Sequence, residues 1–149
     1  SPDMCDYLKL DFPGVRVRCM DLTSNEFLDT PQESYDVVCA HYVLQFLPPE
    51  KQYKALKRLL QMVKVGGVFI LGHKSKHQGE SGEAAHEEYI QFRVKNGYTR
   101  EEIVAKTIAL KGSMFPMDHA EVMNTIHANC HEVTETFRFM MFSTIFAVR

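Results

Sequence analysis

The run from Tyr35 to Ser75, YDVVCAHYVLQFLPPEKQYKALKRLLQMVKVGGVFILGHKS, constrains the fold more than any other stretch of the chain. It reads as strand, loop, helix, glycine turn and strand. Val37, Val38, Cys39 and Ala40 form an apolar run, the pattern of a strand buried on both faces. Pro48-Pro49 blocks helix at that point, and Pro49 suits the first turn of the segment that follows. Tyr53, Leu56, Leu60 and Val63 recur at steps of three and four, giving one apolar helical face. Gly66-Gly67 is the expected end of that helix, and Val68 to Leu71 the second buried strand. Such a unit implies an α/β domain with a parallel sheet. It implies no activity.

The rest of the chain extends this order. Ser1 to Leu10 reads as a short helix and Asp11 to Gly14 as a turn. Val15 to Met20 alternates like a half-buried strand, and Asp21 to Ser34 is a loop with room for one helical turn. Lys76 to Gly82 is polar and reads as an exposed loop. Glu83 to Lys95 is helical, stopped by Asn96-Gly97. Thr99 with Glu102 forms a capping box for the next helix, and Asp118 caps a third. Glu132 to Phe139 and Phe142 to Arg149 are expected to pair as antiparallel strands. With no repeat and no linker, residues 1–149 are expected to form a single domain.

Charge and cysteines narrow the classes of function. A net charge of -2 gives no electrostatic footprint for non-specific nucleic-acid binding. Lys54, Lys57, Arg58 and Lys64 read as the solvated side of a helix. Cys5, Cys19, Cys39 and Cys130 are far apart and contain no CxxC pair, so neither a disulfide framework nor zinc is expected. His73 with His77, and His127 with His131, have a ligand-like spacing of four but no convincing third ligand, so no metal is expected. No apolar stretch approaches the roughly 18 residues of a membrane span, and no signal peptide opens the chain. A cytoplasmic location without membrane association is the expectation.

Four pieces of sequence carry a resemblance to a known family. Ser1-Pro2-Asp3-Met4, Leu44-Gln45-Phe46-Leu47, FRVKNGYTREEI over 92–103 and the closing FSTIFAV over 142–148 together span nearly the whole chain. They resemble the class I S-adenosylmethionine-dependent methyltransferases, and among them the carboxy-S-adenosylmethionine synthases that act in tRNA wobble-uridine modification. The segment around Asn96-Gly97-Tyr98 is the specific part. The resemblance implies a Rossmann-like methyltransferase fold, mostly parallel with a C-terminal antiparallel pair. It also implies that the first strand, glycine-rich loop, first helix and second strand of that fold lie upstream of Ser1.

The implied cofactor is S-adenosylmethionine or its carboxylated derivative. Asp21 and Leu22 match the positions beside the adenine: a carboxylate accepts from the amino group, and the following N–H donates to the ring. Asp21 is equally read as a turn aspartate. His41, at the end of a strand where open α/β sheets bind ligands, is either a cofactor contact, a base or a structural histidine. Tyr42 and Gln45 follow on the same loop, and His73-Lys74 ends the next strand. Tyr98 is either a lid over the cofactor or a hydrophobic staple of the next helix.

The arginine that reads a carboxylate in the resembled family has Thr107 in its place here, beside Lys106. Threonine lacks the charged fork for that task, which disfavours the synthase reaction itself. No catalytic residue is assigned, because transfer in this superfamily rests mainly on alignment. Strands without neighbours are costly, so a homodimer, a rearranged sheet or a missing N-terminal segment is expected to complete the fold. The alternative to a methyltransferase is a non-catalytic scaffold of the same fold that works by pairing with another chain. A tRNA partner is implied by the resemblance alone.

Overall fold

The computed structural model describes residues 1–76 and 79–149 and divides them into two compact units, Ser1–Thr30 and Pro31–Arg149. The first unit holds α1 (Pro2–Asp11) and the single turn α2 (Asn25–Leu28). Pro2 stands in the first turn of α1, where no N–H is needed, and Lys9 pairs with Asp6 at 3.1 Å. Ser24 caps α2 by accepting from the Phe27 N–H. Residues 15–20 do not form the expected strand. Alternation supplies the side-chain pattern, but a strand exists only when its backbone groups find a neighbour. Here the Val15 N–H closes a turn on the Phe12 carbonyl instead, at 2.9 Å.

The second unit runs β1 (Tyr35–His41), a 3₁₀ turn (Leu44–Phe46), α3 (Pro49–Met62) and β2 (Val63–Lys74). It continues with α4 (Gly79–Lys95), α5 (Arg100–Leu110), α6 (His119–His127) and the hairpin β3 (Glu132–Phe139) and β4 (Phe142–Val148). The sheet order is β1-β2-β4-β3. β1 and β2 are parallel, as the strand–helix–strand unit requires, and the C-terminal pair is antiparallel as expected. β4 also pairs antiparallel with β2, so the described sheet is mixed, with one parallel ladder.

Gly66-Gly67 does not end α3. The helix stops at Met62, and β2 begins at once with Val63 opposite Tyr35. Its last carbonyls are satisfied from outside: Glu33 and Ser34 donate to Gln61 and Met62 at 2.9 Å each, and the Arg149 guanidinium donates to Gln61 and Val63. A helix end supplied in this way requires no glycine cap. The two glycines lie instead in a bulge between Tyr35/Val63 and Val37/Val68.

The sheet has a closed and an open face. α3 and α6 cover the first, where Val38, Ala40, Phe69, Leu71, Ile145 and Ala147 meet Leu56, Leu60, Val122 and Ile126, all buried. The second face is only partly covered: Val37 is 58% exposed, and Cys39 and Phe146 are also exposed. The expectation of burial on both faces therefore fails for β1, which also has β2 as its only ladder partner among the described residues. An apolar run does not by itself say how many faces are covered.

The ends of α4, α5 and α6 follow local capping chemistry. α4 begins at Gly79, four residues before the expected Glu83, and His77 lies outside the described residues. At its other end the Tyr98 N–H reaches the Arg93 carbonyl at 3.2 Å and the Gly97 N–H reaches that of Val94 at 3.0 Å. This paired closure needs a positive φ at its turn residue, and Gly97 has 91°. Thr99 and Glu102 then exchange both bonds of the capping box, at 2.8 and 3.1 Å. Asp118 caps α6 through the Glu121 N–H at 3.0 Å.

Candidate functional site

A pocket of about 830 Å³ lies within the second unit, between the C-terminal end of β2, the start of β4 and the helices α4 and α5. Tyr89, Ile90, Phe92, Tyr98, Ile103, Ile108, Leu110, Met114 and Phe142 give it an apolar body. Its polar groups are Gln45, Thr107 and His86, with four cations: Lys74, Arg93, Lys106 and Lys111. Among the described residues no carboxylate lines it and none of the four cations makes an ion pair.

The local chain explains how these groups arrive. Lys74 stands opposite Phe142 in the β2–β4 ladder, so both side chains leave the same face of the sheet. Its ammonium lies 5.7 Å from the Tyr89 ring centre and 5.8 Å from that of Phe142. Burial, and then the nearby Arg93, lower the Lys74 pKa from its ordinary value. Arg93 lies over Tyr98 at 4.7 Å and Tyr89 at 5.8 Å, a cation held by aromatic faces rather than by an acid. Gln45, itself buried, fixes the end of β2 by accepting from the Lys74 N–H at 3.2 Å. Its carbonyl accepts from Phe115, so one residue ties the loop after β1 to the segment after α5.

The sequence-read candidates fall in three places. Tyr98, Gln45, Lys74 and Lys106 line the pocket. Thr107 also lines it, but its hydroxyl donates to the Ile103 carbonyl at 2.8 Å, within its own helix. His41 is exposed at the end of β1 and is not part of the lining. Its ring lies over the backbone of Gly72, where a Cβ would collide with His41 Cδ2, so only glycine leaves it this position. Tyr42, in contact with His41, also packs edge-on to Phe142 at 5.7 Å.

Asp21 and Leu22 belong to the first unit. There Asp21 Oδ1 accepts from the Thr23 N–H at 2.7 Å, the turn geometry allowed for in the sequence. Arg93, Lys111, Tyr89 and Phe142 were not read as site residues. Arg93 and Tyr89 sit on a helix whose apolar residues show no clear stripe, so no periodic signal marks them. Among the described residues no group of three histidine, cysteine or acidic side chains could hold a metal ion, and no helix is long and apolar enough to cross a membrane.

Comparison with known proteins supplies the context. Residues 1–71 match the family model described as a methyltransferase domain. The carboxy-S-adenosyl-L-methionine synthase of Vibrio campbellii is 29% identical over 154 residues, covering 100% of this chain and 62% of that protein. An O-methyltransferase family protein from Burkholderia thailandensis shares the fold, with a TM-score of 0.65 at 11% identity over 99% of this chain and 40% of its own. PigF with SAH gives a TM-score of 0.59 at 16% identity, again over 99% and 40%. In sequence the chain is similar to methyltransferase domains and to carboxy-S-adenosyl-L-methionine synthases, and it shares its fold with the two solved structures. The chain spans about three fifths of the length of the Vibrio campbellii synthase that it matches.

Proposed function

We propose that this chain is part of an S-adenosylmethionine-dependent enzyme that passes a one-carbon group to an anionic acceptor with an apolar body. The observation that carries the reading is the pocket beside the C-terminal end of β2, lined among the described residues by four cations and no acid. An acceptor that arrives as an anion is already a nucleophile, so its attack requires no general base. That agrees with a lining in which no described residue is an aspartate or glutamate. Lys74 and Arg93 would fix the charged end, and Tyr89, Tyr98 and Phe142 the apolar body.

By the resemblance, Asp21 and Leu22 of the first unit and, each taken by itself, His41 and Tyr98 of the second are the proposed cofactor contacts. The Asp21 carboxylate suits the task, because one bond from the Thr23 N–H does not exhaust its acceptor capacity. The cofactor, once bound, supplies the sulfonium-activated carbon. The pocket aromatics exclude water from the acceptor. Self-association is part of the proposal: Tyr98, Val104 and Ile108 are exposed apolar residues on and beside α5, and Ile108 is 66% exposed. A tRNA partner follows from the resemblance alone, and the charge balance adds nothing to it.

Native mass spectrometry of the 149-residue chain with S-adenosylmethionine tests the cofactor half. A mass increment that Asp21→Ala removes is expected; no increment in the parent chain overturns it. The acceptor half is tested separately, without cofactor, by titrating 3-phenylpropionate and its uncharged amide. The acid is expected to bind, the amide at least tenfold more weakly, and Arg93→Met is expected to erase the difference. Equal binding of acid and amide would remove the anionic acceptor while leaving the cofactor result standing.

A further inference from the structure

Behind the pocket, on the closed face, two histidine rings lie stacked. His73 and His119 have centroids 5.3 Å apart and planes within 8°, with His73 Nε2 3.2 Å from His119 Nδ1. His73 has no exposed surface, and its other nitrogen, Nδ1, is buried without a partner. Ser143, directly opposite on β4, likewise has a buried Oγ without a partner. On the far side His119 Nε2 stands 3.7 Å from Glu135 Oε1, an electrostatic contact too long for a hydrogen bond, and Oε1 is buried without a hydrogen-bond partner, while Glu135 Oε2 lies 3.6 Å from Arg138 Nη1. The charged or titratable groups facing His73 are thus His119 from α6 and Glu135 and Arg138 from β3, while β4 contributes the neutral Ser143.

A hydrogen bond between two imidazoles permits only certain proton placements. With the pair neutral, Glu135 decides between them. A bare Nε2 lone pair on His119 facing a carboxylate is repulsive, so that nitrogen carries its proton toward Glu135. Nδ1 of His119 is then the acceptor, and His73 must donate from Nε2. Adding one proton to the pair reverses the central bond. His119, partly exposed and beside the carboxylate, is the ring that becomes cationic. Its Nδ1 now donates, so His73 must accept at Nε2 and carry its own proton at Nδ1. The balance is one proton gained. The shared proton moves from His73 Nε2 to His119 Nδ1, and the incoming one appears on His73 Nδ1.

We propose that His119 and His73 form a proton relay, oriented through space by the Glu135 carboxylate, in which uptake of a single proton by the histidine pair is written into the tautomer of buried His73. Burial, reinforced by a charged His119, holds the proton affinity of His73 down to about 4, so that ring stays neutral throughout. The relay ends at the residue preceding Lys74. It therefore registers pH immediately behind the proposed acceptor pocket, on a face the acceptor does not touch.

Long-range ¹H–¹⁵N spectra of the imidazoles in the 149-residue chain, recorded from pH 8 down to pH 5, test the relay. His73 is expected to pass from the Nε2–H to the Nδ1–H form as His119 becomes doubly protonated, without itself becoming imidazolium. Glu135→Gln is expected to move the crossover to lower pH, and His119→Gln to leave His73 in one tautomer throughout. A His73 whose tautomer stays fixed while His119 titrates, or which charges in that range, overturns the proposal. The parent chain alone decides this, even should a variant fail to fold.

Discussion

The two faces of the sheet are built from the same strands and do opposite work. On the closed face, alternate residues of β1, β2 and β4 meet α3 and α6, leaving Phe69, Leu71 and Ile145 with no exposed surface. On the open face the intervening residues, Val37, Cys39 and Phe146, remain exposed, and beyond them the end of β2 turns into a cation-lined pocket. The buried apolar core is concentrated on one side and the candidate pocket on the other. The side chain is the unit of this division, because consecutive residues of one strand belong to different environments. His73 and Lys74 make the point within two positions: one is sealed against α6 and the other faces the pocket.

The contrast can be broken most directly by truncation. Ile145→Ala on the closed face is expected to cost about 2–5 kcal/mol in chemical denaturation, through lost burial and a residual cavity. Acid should attack the same face. His73 has a folded pKa of about 4, below the ordinary value of 6.5, so the unfolded state takes up its proton first. The stabilisation is complete above about pH 6.5 and is lost as the pH falls toward 4, on the order of 2 to 3 kcal/mol. Denaturation midpoints measured between pH 7 and pH 4 should show this fall, and His73→Gln should flatten it.

Smaller effects sharpen the comparison. Thr99→Ala removes one arm of the capping box beside the pocket and should cost about 1 kcal/mol, read from the thermal midpoint. Val37→Thr, on the open face of β1, should change stability by less than about 0.5 kcal/mol. A loss there matching that of Ile145→Ala would mean that both faces are closed in solution.

The sequence made some of this legible and hid the rest for physical reasons. The caps at Thr99 and Asp118, the Asn96-Gly97 stop and the β3–β4 pair are local chemistry, readable from a few neighbouring residues. Gly66-Gly67 misled because the carbonyls of α3 are satisfied by Glu33, Ser34 and Arg149, partners from distant parts of the sequence. Val15 to Met20 has the alternation of a strand, but alternation cannot report whether a neighbouring strand is there. Of the residues that line the pocket, Tyr98, Gln45 and Lys106 stand at motif positions that the sequence singles out. Arg93 and Lys111 were not, since a cation on a helix reads as solvated until the fold shows what it faces. The His73–His119 contact joins residues 46 apart and leaves no trace in either neighbourhood.

The strand order has a consequence for how the molecule is made. β4 sits between β2 and β3 although it is the last of the four along the chain. During synthesis β2 can pair with β1 on one side, but its other edge must wait until Phe142–Val148 has left the ribosome. At about 5–20 residues per second that wait lasts on the order of several seconds, with an apolar strand presenting unpaired amides and carbonyls. The nascent chain is therefore most open to misassembly, and to chaperone capture, while α4, α5 and α6 are being made.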